Sequence, residues 1–285
     1  MSFHLFISSF STILLGLASA LFWGAGDFSG GLATKRTSAY TVVALSQFVS
    51  LVLLILSAFL IPEGNLTVQD MLLGGVAGLC GALGLVALYS GLARGPMGVV
   101  APVTAVVAAI VPVGVSIFFE GLPEVQQIVG FGIALVAVWL ISQTGNDTKI
   151  SFRDLELPIL AGIGFGLFFI LIDRVSDNAI LWPLVSARIA SIGLVVIIAL
   201  LKRQIEAPAL QLLPLIALAG IFDTGGNVFY ALATRIGRLD ISAILSSLYP
   251  AATVMLAWII LKERLTLRQW IGVVLVLLAV VLIAV

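Results

Sequence analysis

Long apolar runs broken by short polar punctuation organise this chain from end to end. Ten runs are long enough to be read as helices that cross a bilayer, which takes about 20 mainly apolar residues. They cover residues 11–33, 40–61, 69–93, 97–118, 124–143, 157–175, 180–201, 209–234, 239–261 and 267–285. The breaks carry turn or charge signals: Lys35–Ser38, Pro62–Asp70, Gly95–Pro96, Glu120–Glu124, Lys202–Pro208 and Lys262–Thr266. Connectors this short predict that successive helices lie side by side and antiparallel. The one longer polar stretch is Thr144–Glu156, TGNDTKISFRDLE, at the middle of the chain. It reads as a connector between residues 1–143 and residues 157–285.

Composition strengthens this picture. Of 285 residues, 61% are hydrophobic and 10% charged, where a soluble domain carries about a quarter charged. Mean hydropathy is +1.23. So much apolar surface must face lipid, and the long unbroken runs argue against a barrel of short alternating strands. Formal charge is zero, and with no basic patch nucleic acid is not an expected partner. Cys80 and His4 are the single cysteine and histidine. They form no metal-ligating cluster, no cofactor is expected, and Cys80 reads as a small packing residue. No Lys or Arg precedes Lys35, so the first run lacks the basic start of a cleaved leader and reads as a real helix. Nothing matches a nucleotide-binding loop, and no paired catalytic motif is visible.

The two halves align on each other. Gly16, Phe22 and Asp27 meet Gly162, Phe168 and Asp173; Tyr89 and Arg94 meet Tyr230 and Arg235; Gln127 and Gly130 meet Gln269 and Gly272. The offset stays near a constant ~140 residues, and polar residues coincide as well as apolar ones. Five helices per half is an odd number, so the copies must insert in opposite senses. The expected fold class is therefore all-α membrane, ten transmembrane helices arranged as two inverted five-helix repeats, a plan recurrent in secondary transporters. Glycine is abundant, with 28 residues, and Gly74-x-x-x-Gly78 reads as a helix-packing motif. The odd-numbered connectors hold ten Lys or Arg residues and the even ones only Arg174, Arg235 and Arg238. The positive-inside rule then places the odd connectors in the cytoplasm and both termini outside.

On these residues the chain resembles the drug/metabolite transporter superfamily in its EamA-type branch. The resemblance rests on Glu263-Arg-Leu-Thr followed by Gln269-Trp-x-Gly272. It also rests on the degenerate copy Glu120-Gly-Leu-Pro with Gln127-x-x-Gly130, and on Trp23-Gly24-Ala25-Gly26-Asp27-Phe28 in the first helix. It covers essentially the whole chain and implies a transporter in the inner (plasma) membrane of a bacterium. Such proteins often carry an arginine in the second helix of each half. Here the second half has Arg188, while the first has Gln47 near the matching position.

Ionisable residues inside a spanning segment are costly and mark functional sites. Asp27, Arg188 and Asp223 lie deepest in their segments, whereas Asp173 and Arg174 lie near an end. Asp223, Asn227 and Tyr230 recur at i, i+4 and i+7 and share one helix face, either as a cavity wall or as an interhelical staple. Trp23 stands four residues before Asp27. Gln47 and Tyr89 from the first half and Ser246 from the second complete the expected substrate-binding set: Trp23, Asp27, Gln47, Tyr89, Arg188, Asp223, Asn227, Tyr230 and Ser246. Thr104, Ser247 and Tyr249 are weaker candidates, and Pro112 and Pro250 are expected to kink their helices. Arg188 either receives an anionic solute group or pairs permanently with one of the two acids. Two acids and one base leave one carboxylate to exchange a proton or bind a cationic group, and Asp223 is the expected exchanging acid. The expected function is secondary transport of a small organic solute by alternating access, in a monomer or homodimer, with protons as the candidate coupling ion. A lipid-carrier flippase or a non-transporting receptor of the same fold would be the alternatives.

Overall fold

A computed structural model describes residues 2–64, 66–94, 97–141, 152–176, 179–204, 206–261 and 266–284. Every regular element among them is helical. The first half contributes α1 (Ser2–Thr34), α2 (Ala39–Leu60), α3 (Val68–Arg94), α4 (Met97–Glu120) and α5 (Val125–Ile141). The second contributes α6 (Phe152–Asp173), α7 (Leu181–Leu201), α8 (Leu213–Ile236), α9 (Leu239–Ser246), α10 (Tyr249–Leu261) and α11 (Leu267–Ala284). Eight helical stretches are long and apolar enough to cross a membrane, while Val125–Leu140 and Leu267–Val276 are shorter. Length and composition alone thus account for eight crossings rather than ten.

Several boundaries differ from the reading of the sequence, beginning with α1, which starts at Ser2 rather than at residue 11. The segment 239–261 is not one helix: it breaks into α9 and α10 at Ser247–Leu248. Pro250 explains the break. Its missing N–H cannot reach the carbonyl of Ser246, and its ring clashes with that carbonyl. By contrast α4 runs through Pro112 without interruption. The charged connector 144–156 lies outside the described residues as far as Ser151, and from Phe152 the chain already belongs to α6. Glu263, Arg264 and Leu265 of the last-helix motif also lie outside the described residues, whereas its Gln269 accepts from the Thr266 N–H at 2.8 Å.

Successive helices, expected to lie side by side, do touch but are not the main packing partners. The extensive contacts run between the halves: α1 on α8, α9 and α10; α2 on α7 and α8; α3 on α6 and α7; α4 on α6 and α9; α5 on α11. Chain neighbours such as α1 and α2, or α3 and α4, touch far less. Small residues permit the closest approaches. A methyl group at Gly74 or Gly78 of α3 would strike the backbone carbonyls of Pro183 or Ala187 on α7, so the Gly-x-x-x-Gly pair does pack helix on helix. Outward faces carry large apolar side chains, among them Phe59, Leu60, Phe118 and Leu201. In water such a surface would drive aggregation; against lipid tails it costs nothing.

Carboxylates and one arginine tie the halves together at the even-numbered connectors. The α7 N-terminus leaves backbone N–H groups without helical partners. Glu63 accepts from three of them: Ile180 at 2.8 Å, Leu181 at 2.6 Å and Trp182 at 3.1 Å. Asp70 accepts from the Ser176 N–H at 2.8 Å and its hydroxyl at 2.9 Å. Between α8 and α9, Arg238 donates to the Glu120 and Gly121 carbonyls at 3.1 and 2.9 Å and to the buried Asp240 carboxylate at 2.9 Å. The Asp240 hydrogen bonds hold the Arg238 guanidinium pKa above its ordinary value.

Candidate functional site

A cavity of about 60 Å³ lies between the two halves of the bundle. Its walls come from both halves: α1, α2 and α3 on one side, and α6, α7, α8 and the start of α10 on the other. Six of the nine expected site residues line it: Trp23, Asp27, Gln47, Arg188, Asp223 and Asn227.

The deepest polar knot forms around Asp223. Its Oδ2 accepts from Arg188 Nη2 at 2.7 Å and from Gln47 Nε2 at 3.2 Å. Its Oδ1 accepts from Asn227 Nδ2 at 3.0 Å, one helical turn along α8. Arg188 also donates through Nε to Ser50 Oγ at 2.8 Å. Ser50 Oγ and Thr224 Oγ1 lie 2.8 Å apart. Ser191 donates to Gln47 Oε1 at 3.2 Å. The network thus satisfies one charged pair with neutral donors and acceptors from α2, α7 and α8. A half-satisfied network at this depth would be worse than an apolar core. Gln47 occupies the place where the family resemblance implies a second arginine. It converges on the same carboxylate oxygen as Arg188, but as a neutral donor.

Of the two acids, it is Asp223, the expected exchanging acid, that pairs with Arg188 in this structure. Asp27 is the acid left over. It faces the cavity, and among the described residues no hydrogen bond or ion pair forms to its carboxylate. The repeat partner of Asp27 does not share its position. Asp173 ends α6, with Arg174 Nε 3.8 Å from its carboxylate.

Three expected site residues do not line the cavity. Tyr230 is fully buried, donates to the Phe169 carbonyl at 3.1 Å and stacks on the Phe169 ring at 4.5 Å. It backs the wall rather than forming it, because its hydroxyl finds an acceptor inside the protein. Tyr89 is buried with its hydroxyl against Gly30 of α1. Ser246 is buried where α9 crosses α1, its hydroxyl 3.5 Å from the Gly16 carbonyl. Thr104, a weaker candidate, ties α4 to α6 through the Pro158 carbonyl at 3.2 Å. Arg235 anchors the end of α8, donating to the Asp173 and Ala179 carbonyls at 3.4 and 3.3 Å.

The sequence reading missed the phenylalanines of the aromatic wall. Phe165, Phe168 and Phe169 of α6 line the cavity, beside Tyr249, a weaker candidate from the sequence, at the start of α10. Trp23 stacks on Phe169 with ring centroids 5.3 Å apart. A signal existed: the offset that aligns Asp27 with Asp173 also places Phe169 opposite Trp23. Gly81 and Leu85 of α3 complete the lining.

The sequence profile of the EamA-like transporter family matches residues 10–143 and, a second time, residues 157–285. An uncharacterised protein of Methanocaldococcus jannaschii is 31% identical over 131 residues, 46% of this chain and 94% of its own length. A solved crystal structure superposes with a TM-score of 0.80 over 95% of this chain and 97% of its own, at 14% identity. At that identity the likeness is one of fold alone. Taken with the apolar helices, the two profile matches identify a multi-pass membrane protein of the EamA-like transporter family, within the drug/metabolite transporter superfamily.

Proposed function

We propose that this protein is a secondary transporter carrying a small organic solute by alternating access between two inverted five-helix halves. The observation that carries the reading is the central cavity, whose polar lining is drawn from both halves at membrane depth. Ionisable groups at that depth require a partner or water. A site shared by two repeats can open to either side as they rock against one another.

The helix pairing supports the repeat. Count α9 and α10 together as the ninth segment and exchange the halves. The α1–α8 pair then becomes α6–α3, α4–α6 becomes α9–α1, and α2–α8 becomes α7–α3. The α2–α7 and α5–α11 pairs map onto themselves. The double profile match, and a relative about half as long as this chain, agree with a unit that occurs twice. In this plan α5 and α11 pack chiefly on each other and supply no lining residue. They serve as scaffold or as a homodimer contact. The short α5 and α11 count as crossings, making ten, with both termini on the non-cytoplasmic side of a bacterial inner membrane. Asp27 is the acid that exchanges a proton during the cycle.

Purified protein in liposomes tests this. Saturable uptake of a labelled solute, with counterflow when unlabelled solute is inside, is the expected result. Asp27→Asn should lose accumulation driven by a pH gradient while keeping exchange. Binding without any exchange would make the protein a receptor and end the transporter reading. A C-terminal alkaline phosphatase fusion should be active, and a fluorescent cytoplasmic reporter at the same position should be dark.

A further inference from the structure

Two carboxyl groups, Asp27 and Asp223, and one guanidinium, Arg188, line the cavity, so the acids outnumber the base. Arg188 is 5% exposed and is already engaged by Asp223 through Nη2 and by Ser50 through Nε. It is therefore poorly placed to receive an anionic solute. Asp27 has no counter-charge among the described residues. An ionised carboxylate at membrane depth is unfavourable until a cation joins it. Around it stand aromatic rings: Trp23, one helical turn away on the same face of α1, and Phe165, Phe168 and Phe169 across the cavity. Aromatic faces attract cations, more strongly where water is excluded, and accept an apolar body.

We infer that the cavity takes a monovalent organic cation, an ammonium or similar group on an apolar or aromatic body. Its charge is met by Asp27 and its body by Trp23 and the α6 phenylalanines. The inference rests on the transporter reading for the role of the cavity and adds the substrate class. A zwitterion, which would set its carboxylate toward Arg188, is the competing outcome.

The experiment uses three probes that share one phenyl body: trimethyl(2-phenylethyl)ammonium, phenylalanine and 3-phenylpropanoate. Binding to the full chain in nanodiscs is measured by calorimetry. The cation should bind at least about tenfold more tightly than the other two. Asp27→Asn should erase that preference, Asp27→Glu should keep most of it, and Trp23→Leu should weaken the cation more than the anion. Equal or tighter binding of phenylalanine or 3-phenylpropanoate to the unaltered protein would overturn the inference. So would failure of the cation to bind at millimolar concentration, or a folded Asp27→Asn protein that keeps the preference. If Asp27→Asn does not fold, the ranking on the unaltered protein decides alone. Flux separates the two readings. Transport of a solute with no preference for cations refutes the class and leaves the transporter. A cation bound but never moved refutes the transporter and leaves the class.

Discussion

Asp27 and Asp223 share one cavity and differ in everything around them. Asp223 receives an arginine, a glutamine and an asparagine on its two oxygens. Asp27 receives none of these. The contrast teaches that depth in a span does not by itself make an acid functional. A carboxylate whose bonds are all made within the protein is part of the scaffold, because moving its charge would strand a buried arginine. A carboxylate without such bonds is available to whatever enters. The choice between them turns on which acid Arg188 can reach from α7.

That contrast can be broken by substitution. Asp223→Asn should have the largest effect on stability. It leaves Arg188 buried without a counter-charge, a loss of about 3 kcal/mol, the low end for broken buried pairs, because the Asp223 side chain keeps 22% exposure. Thermal unfolding in detergent would read this as a lowered midpoint. A midpoint equal to that of the unaltered protein would mean the pair is not structural.

Combining Arg188→Gln with Asp223→Asn comes next. The double variant should recover most of the loss of either single one, with a coupling of about 1–3 kcal/mol in a double-mutant cycle. Additive losses would show that the two side chains act separately. Gln47→Leu should cost about 1.5 kcal/mol, one hydrogen bond to a charged group, and should leave Arg188 paired. Asp27→Asn should change the unfolding midpoint least, within about 0.5 kcal/mol, because it breaks no bond inside the protein. A large loss there would reveal a structural partner for Asp27 and put the two acids on the same footing.

The membrane class was legible because the constraint is local and severe. A backbone in lipid must satisfy itself within its own helix, so each crossing announces itself as a long apolar run. Pro250 announced its break for an equally local reason. The matches between the halves include polar residues such as Asp27 and Tyr89, and the family profile matches each half once. Glu63 was not legible as a cap. It lies in the connector after α2 and caps α7, more than a hundred residues away in the chain. Nor were the phenylalanines of α6, since a ring lining a cavity and a ring packing a core have the same sequence pattern.

The sequence by itself determined that this chain is a helical membrane protein, where most of its helices run, and that its ionisable groups at depth are Asp27, Arg188 and Asp223. Those are properties of short windows, decided by backbone hydrogen bonding and by transfer from water to lipid. Only the tertiary structure decided that first-half helices pack on second-half helices rather than on their chain neighbours. It also decided that Tyr230 and Ser246 turn to backbone carbonyls, and that Arg188 is taken by Asp223 and leaves Asp27 open to the cavity. Those outcomes depend on distances between side chains on different helices. Helix faces and spacings list which groups are available for pairing, but not which of them come within 3 Å, the reach of a hydrogen bond.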